Sequence, residues 1–211
     1  MGDSQSAFPM VGINYTGTYA FGNDIFLKAD GRYANGSSSY SGSGSKSGVP
    51  NWYYDLRALV GYDFKVDSYV LSPYIGYGYR YLWNDMTGTT STGANGYTRE
   101  SNYYYIPLGI THKINLGEPN RNLETNVEYD YLIQGKQISG AVGSIPQSNN
   151  TQNSGYGARI SSMYQMGDWA FGPYLTYWNI QASNWVRSGN YLVQEPANTT
   201  TEAGLKATYK F

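Results

Sequence analysis

The chain has 211 residues and a net charge of −1, and its 17% aromatic residues include 24 tyrosines. The balanced charge excludes the basic surface that nucleic-acid binding requires, and no stretch reaches the roughly 18 apolar residues of a membrane helix. With no cysteine and one histidine, the sequence contains no metal cluster of recognisable spacing. Abundant tyrosine suits a surface that is apolar along the ring and wet at the hydroxyl, such as a membrane interface.

In chain order, residues 1–8 are polar and predict a tail, and residues 9–211 predict a single β domain. Alternation of apolar and polar side chains predicts nine strands, which cover residues 10–21, 25–33, 52–64, 69–85, 97–113, 123–135, 156–166, 169–185 and 201–211. Short turns are predicted at 22–24, 65–68, 115–122 and 167–168. They alternate with long polar loops at 34–51, 87–96, 136–154 and 186–200.

The closing stretch 201–211 shows the alternation most clearly. One face carries apolar and aromatic residues, namely Ala203, Leu205, Ala207, Tyr209 and Phe211. A soluble β-sandwich or lipocalin-like barrel, with the aromatic face packed inside, is one interpretation. The regular change between short and long connections favours an antiparallel outer-membrane β-barrel of 8–10 strands. Its apolar face would contact outer-membrane lipid and its polar face would line the lumen, which predicts a location in the bacterial outer membrane.

Charged residues recur on the predicted inward face. They are Lys28, Asp30, Arg32, Asp55, Arg57, Arg80, Glu124, Glu128, Asp130 and Arg159. Charges in a narrow lumen have to be paired or hydrated, and a barrel of about eight strands is wide enough for side chains alone. Tyr53, Tyr74 and Tyr103 are predicted to add bulk to the same space. A salt-bridged plug is therefore predicted, and a charged pore is the alternative.

The single histidine, His112, lies near the end of the strand 97–113, just before a short turn. Histidine is amphipathic and sits readily at a membrane interface. Outer-membrane proteases and lipid-modifying barrels place a catalytic histidine toward the outer rim, which is the opposite end. The sequence therefore predicts no catalytic residue and no cofactor, and an outer-membrane hydrolase is a minor alternative.

The odd number of strands conflicts with the even numbers of bacterial single-chain barrels. If the short turns are periplasmic, the first strand begins on the extracellular side. Either a first strand is absent from this chain, or one element has been split or merged. An unpaired strand edge in the hydrocarbon layer is costly, so we expect a partner protein or an additional strand, such as an upstream segment of the natural precursor, to complete the barrel. Parallel pairing of the first strand with 201–211 is the alternative.

Two resemblances add to this interpretation. The end of the chain, at Leu205, Ala207, Tyr209 and Phe211, resembles the terminal signal that the barrel-assembly machinery reads in outer-membrane barrels. The segments 59–64, 72–82, 96–103 and 107–109 resemble a group of little-characterised bacterial outer-membrane β-barrel proteins. That resemblance covers residues 10–211 and implies one further strand before Met10, but no established activity.

The function predicted from the sequence is structural: a small barrel whose four long extracellular loops contact a surface partner. A narrow porin-like channel for small solutes is the alternative.

Overall fold

The structure, a computed structural model, describes residues 4–7 and 9–210, with side chains from residue 9 onward. This part of the chain forms β-strands without any helix, and so contains no helix long and apolar enough to cross a membrane. The strands are β1 (Ser4–Ala7), β2 (Val11–Ala20), β3 (Ile25–Gly42), β4 (Gly44–Tyr62), β5 (Phe64–Val66), β6 (Tyr69–Thr89), β7 (Asn95–Asn115), β8 (Arg121–Ser139), β9 (Ser148–Gln152), β10 (Gly155–Met166), β11 (Trp169–Ile180), β12 (Val186–Ser188), β13 (Tyr191–Val193) and β14 (Asn198–Tyr209).

Twelve of these strands form one antiparallel sheet, and β12 and β13 form a separate hairpin. Neighbours in the sequence are neighbours in the sheet, as in a meander. The twelve strands fill nine positions, because β1, β5 and β9 prolong β2, β4 and β10 along the same neighbouring strands. The prediction of an all-β antiparallel fold is confirmed. Residues 4–7, within the segment predicted as a tail, pair with β3 as β1.

The sheet curls but does not close into a barrel. Within the described residues, β2 pairs with β3 and β14 pairs with β11, and no ladder joins β2 to β14. The curl is deep enough for side chains of β3 and β14 to meet, since Arg32 and Glu202 form an ion pair. Side chains therefore link the first and last parts of the sheet where backbone hydrogen bonds do not.

The predicted long loops are largely wrong. Most of 34–51 is strand, because β3 and β4 continue to a tight hairpin at Ser43. Serine and glycine, which are typical of loops, here occupy paired strand positions such as Ser38 opposite Val49. Likewise β6, β7 and β8 run beyond their predicted ends, and the connection after β11 contains the β12–β13 hairpin. We call the end with these connections the upper end, and the end with the short turns the lower end.

The turns at the lower end are short, as predicted. Two non-glycine residues there have left-handed backbones, Asp24 with φ 65° and Asn120 with φ 58°. Aspartate and asparagine tolerate this conformation better than other residues because their short side chains hydrogen-bond locally. Gly167, with φ 64°, supplies the same conformation between β10 and β11.

The two faces of the sheet differ sharply. The concave face holds the buried residues, in clusters around Tyr105 and Trp178, around Tyr74, and around Met86 near the upper end. The convex face exposes large apolar side chains on every long strand, such as Leu56, Leu108 and Leu175. The inside of the curl therefore holds buried aromatic and aliphatic clusters together with buried charged groups such as Asp55 and Arg80, and large apolar side chains are exposed on its outside.

Candidate functional site

The strongest concentration of chemistry is a belt of ion pairs across the concave face, here called the ion-pair belt. Strand register sets its members side by side: Arg32 lies opposite Asp55 and Asp55 opposite Arg80, while Glu128 lies opposite Arg159. The belt consists of Asp30, Arg32, Asp55, Arg57, Arg80, Glu128, Asp130, Arg159 and Glu202. Four arginines thus face five carboxylates.

Arg57 joins two distant strands through this belt. Its Nε and Nη2 donate to the two carboxylate oxygens of Asp30 on β3, at 2.8 and 2.7 Å. Its Nη1 reaches across the concavity and donates to Oε1 of Glu128 on β8, at 2.5 Å. Paired two-point hydrogen bonds of this kind fix geometry as well as charge. Arg57 therefore ties β3, β4 and β8 together.

Arg159, on β10, contacts several carboxylates of the ion-pair belt. Its Nε is 2.7 Å from Oδ2 of Asp130 and 3.1 Å from Oε1 of Glu128. Its Nη2 donates to Oδ2 of Asp55, at 2.8 Å, and to the hydroxyl of Tyr105, at 2.8 Å. One side chain of β10 thus contacts carboxylates on the paired strand β8 and on β4, which lies across the concavity.

Arg80 is held mainly by aromatic rings. Its side chain is 3% exposed, and its Nη1 lies 3.6 Å from Oδ2 of Asp55. The guanidinium carbon is 4.5 Å from the ring centre of Tyr53 and 5.9 Å from that of Trp178. A guanidinium over the face of an aromatic ring is attracted by the ring quadrupole, which compensates part of its desolvation.

Tyrosine hydroxyls supply further donors to the carboxylates. Tyr105 donates to Asp55 at 2.5 Å and Tyr74 donates to Glu128 at 2.6 Å. Glu202 accepts from Tyr53 at 2.9 Å and from Tyr174 at 2.8 Å. These three carboxylates are both paired and hydrogen-bonded, which are the conditions under which buried charge is tolerated. Elsewhere in the belt, Nη1 of Arg80 and Oδ1 of Asp130 are buried without a hydrogen-bond partner among residues 9–210.

The structure brings eight of the ten predicted lumen charges into the ion-pair belt and leaves Lys28 and Glu124 outside it. The ammonium of Lys28 lies 5.6 Å from the ring centre of Phe26, nearer the lower end. Glu124 lies opposite Lys113 in register, and neither has an ion pair within 4 Å in the described part of the chain.

Sequence reasoning missed Glu202 and the role of Tyr105. The alternation of side chains along the closing strand already places Glu202 on its polar face. Parity also places Tyr105 on the inward face together with Tyr103, but its hydrogen bond to Asp55 joins β7 to β4 across the concavity, and a single sequence does not contain that contact.

Of the remaining predicted residues, Tyr53, Tyr74 and Tyr103 are buried on the concave face. His112 and the described residues of the terminal signal lie at the surface. His112 packs edge-on against the ring of Tyr69, with 5.3 Å between ring centres, close to the lower end of β7. Leu205 and Ala207 are exposed on the convex face of β14, and Tyr209 packs on Trp169 at 5.1 Å. Phe211 lies outside the described residues.

A polar cavity of about 110 Å³ remains beside the ion-pair belt. It opens between β2 and β14 and is lined by polar groups of both edges, including Asn14, Thr16 and Lys206. Among the described residues, no group of three or more acidic, histidine or cysteine side chains is placed to hold a metal ion. The ion pairs and hydrogen bonds of the ion-pair belt can link strands and fill the rest of the concavity.

No protein family model matches the chain, and no curated protein is significantly similar to it.

Proposed function

We propose that the chain is a bacterial outer-membrane β-barrel protein with a structural and interaction role. In this proposal its convex face contacts lipid, its ion-pair belt plugs the lumen, and its upper end contacts a partner at the cell surface. The observation that carries the proposal is the continuous band of exposed apolar side chains around the convex face.

The band follows the register from strand to strand. Leu27 lies opposite Val60, Val60 opposite Ile75, and Ile75 opposite Leu108. It continues through Val127, Ile160 and Leu175, each between 42% and 50% exposed. Soluble monomers rarely expose contiguous apolar patches of more than a few hundred Å². A lipid environment removes this cost, since lipid tails are themselves apolar.

Aromatic residues flank the band at both ends. Toward the upper end, rings of neighbouring strands contact one another, as in Trp52 with Tyr81 at 5.2 Å and Tyr79 with Tyr104 at 4.9 Å. Toward the lower end, Tyr62 contacts Phe64 at 4.8 Å, and elsewhere along the same end Trp169 contacts Phe171 at 5.9 Å and Tyr209 at 5.1 Å. Aromatic girdles at the two interfaces are typical of outer-membrane barrels.

The spacing of these girdles fits a membrane. Tyr54 and Tyr62 on β4 are separated by about 26 Å along the strand, at about 3.3 Å per residue. A strand tilt of about 40° reduces this to roughly 20 Å along the membrane normal, near the apolar band of about 25 Å in such barrels.

The upper end supplies the proposed contact surface. Its connections hold one another, since Thr90 and Thr92 donate to the carbonyl oxygen of Ser43, at 2.9 and 2.8 Å. Three large side chains at the β12–β13 hairpin are nevertheless exposed: Trp185, just before it, at 63%, and Tyr191 and Leu192, on β13, at 44% and 70%. An exposed aromatic and aliphatic group on an ordered support is typical of a protein contact site.

The terminal strand would serve assembly. We propose that Leu205, Ala207, Tyr209 and Phe211 form the signal for the barrel-assembly machinery, and the exposure of Leu205 and Ala207 on β14 supports this.

A planar-bilayer recording separates the plug from the channel that was the alternative. Because cross-lumen pairs such as Arg57 with Glu128 occupy the concavity, we expect no steady open level from the reconstituted protein. A steady, voltage-stable conductance would show that the lumen is a pore. Loss of cell-surface partner capture in the Trp185→Ala, Leu192→Ala variant would support the contact site, with Val66→Ala at the lower end as the control.

A further inference from the structure

A second cavity, of about 120 Å³, lies at the upper end of the molecule, away from the ion-pair belt. We call it the upper cavity. Its walls come from the start of β7 at Tyr97, from the connection between β8 and β9, and from Gln194 and Glu195, which follow β13. An engineered cavity of about 150 Å³ binds benzene, so the upper cavity has room for roughly five non-hydrogen atoms.

Hydrogen bonds within the chain hold the walls of the upper cavity in place. The backbone N–H of Ser183 donates to the carbonyl oxygen of Glu195, and the hydroxyl of Ser183 accepts from the Glu195 N–H, each at 2.9 Å. On another wall, two backbone hydrogen bonds of 2.9 and 3.0 Å join Val142 and Ile145. The lining residues are therefore positioned without a ligand, which is typical of a preformed site.

Glu195 brings a buried carboxylate with few partners to this cavity. Its side chain is 9% exposed, and within residues 9–210 it is the one charged residue of the lining. Its carboxylate makes no hydrogen bond there, since Nη1 of Arg99 is 3.8 Å from Oε1, which is too far for one. Burial raises the pKa of the Glu195 carboxyl, although Arg99 acts to lower it. The attraction of Arg99 therefore does not offset the desolvation of this charge, and a further cationic donor would stabilise it.

The two side-chain amides of the lining leave acceptors open as well. Nδ2 of Asn150 donates to the carbonyl oxygens of Asn184 and Val193, at 3.1 and 3.3 Å. Nε2 of Gln194 donates to the carbonyl oxygen of Ser183, at 2.7 Å. Within residues 9–210, neither amide oxygen accepts a hydrogen bond. The unused hydrogen-bonding capacity of the upper cavity is thus mainly that of acceptors, which favours a ligand that donates.

Aliphatic side chains form another part of the lining, contributed by Val142, Ile145, Pro146 and Val193. A primary ammonium group carries one positive charge and three N–H donors, which match the carboxylate and the two amide oxygens. A short alkyl chain attached to it would lie against the aliphatic side chains. A neutral polyol fits less well, because it leaves the carboxylate charge uncompensated.

We propose that the upper cavity binds a primary alkylammonium group on a chain of about four carbons. The ammonium donates to Glu195 and to the amide oxygens of Asn150 and Gln194, and the alkyl chain packs against Val142 and Ile145. A free small amine and the lysine side chain of a partner protein both present this group. The site goes beyond the proposed function, because it does not depend on contact of the convex face with lipid.

Protein NMR in detergent micelles, in mildly alkaline buffer, tests the proposal with n-butylammonium chloride as the probe. The control ligand is n-butanol, which has the same chain but no charge. We expect n-butylammonium to cause saturable shifts of the backbone amides of Val193, Gln194 and Glu195. We expect n-butanol to bind at least about tenfold more weakly, because charge-assisted hydrogen bonds are roughly twice as strong as neutral ones.

Two variants and one further ligand locate the site and the source of the group. Glu195→Gln keeps the shape of the side chain and should weaken n-butylammonium binding about tenfold or more. Glu118→Gln, on a lower turn where the side chain is 59% exposed, should leave binding unchanged. Binding of Nα-acetyl-lysine methylamide as strong as that of n-butylammonium would support a lysine of a partner protein. Binding of n-butylammonium without binding of the lysine derivative would support a free amine.

Three results would overturn the proposal. Equal binding of n-butanol and n-butylammonium would show that the upper cavity recognises only the alkyl chain. Undiminished binding of n-butylammonium to Glu195→Gln would place the site elsewhere, and the absence of any saturable shift would show that there is no site. The comparison of the two ligands on the unaltered protein decides the matter even if Glu195→Gln does not fold.

Discussion

Removing Arg159 should be one of the most destabilising single changes outside the apolar band. Its side chain is 13% exposed and contacts the carboxylates of Asp55, Glu128 and Asp130, whose side chains are 2%, 0% and 0% exposed. Arg159→Met leaves these groups with too little compensating charge. Breaking a buried pair by removing one partner costs about 3–5 kcal/mol, and we expect a loss of this size in the free energy of unfolding.

Urea unfolding of the vesicle-inserted protein, followed by tryptophan fluorescence, measures this loss. The control is Arg121→Met, since Arg121 pairs with Glu118 on a lower turn where the side chains are 41% and 59% exposed. Exposed pairs are worth about 0.2–1 kcal/mol. Adding Asp130→Asn to Arg159→Met should recover about 0.5–3 kcal/mol, because residues in one network couple. Equal and small costs for the two arginines would refute the ion-pair belt as a structural device.

Three further predictions concern other parts of the molecule. Leu108→Arg should cost about 2–4 kcal/mol of stability if its site faces the bilayer midplane, whereas Leu192→Arg, on the upper end, should cost under about 0.5 kcal/mol; urea unfolding of both compares them. Gly78→Ala should destabilise strongly, since its added carbon would lie 2.2 Å from a tyrosine ring, and Gly17→Ala should be tolerated because the nearest atom is 3.7 Å away; folding yield reports both. Burial raises the pKa of Glu195 at the upper end. Its contribution to the free energy of unfolding should therefore be greatest below the ordinary pKa of about 4.3 and fall as pH rises through the raised value. Urea unfolding of Glu195→Gln at several pH values should lack this dependence.

Most of the fold prediction came from strand parity, which is the alternation of side chains between the two faces of a strand. Alternation on the closing strand placed Leu205 and Lys206 on opposite faces, and the structure places them so. Period-two patterns define faces without reference to distant residues, which is why the inward set contained Asp55 and Arg159. The prediction of nine strands matches the nine positions in the sheet.

Amino-acid composition gave a wrong prediction in segments that were judged by their serine and glycine content and not by side-chain alternation. The serine and glycine of segment 34–51 predict a loop, although Tyr40 and Val49 occupy buried, inward positions within it. The ends of β3 and β4 near Ser43 carry mainly serine and glycine on their outward face, so no apolar face reveals them and their pairing depends on neighbouring strands. Contacts across the concavity, such as Arg57 with Glu128, depend on curvature and register together, and a single sequence contains neither.

The contact of the convex face with lipid is the central claim, and nitroxide labelling tests it most directly. The chain has no cysteine, so single cysteines at Ile75, Leu108, Val127 and Leu192 can each carry one spin label. In vesicles, the first three labels should be accessible to oxygen and protected from a water-soluble nickel chelate, while the label at Leu192 should show the reverse. Strong accessibility to the nickel chelate at all four positions would place the convex face in water and contradict the account.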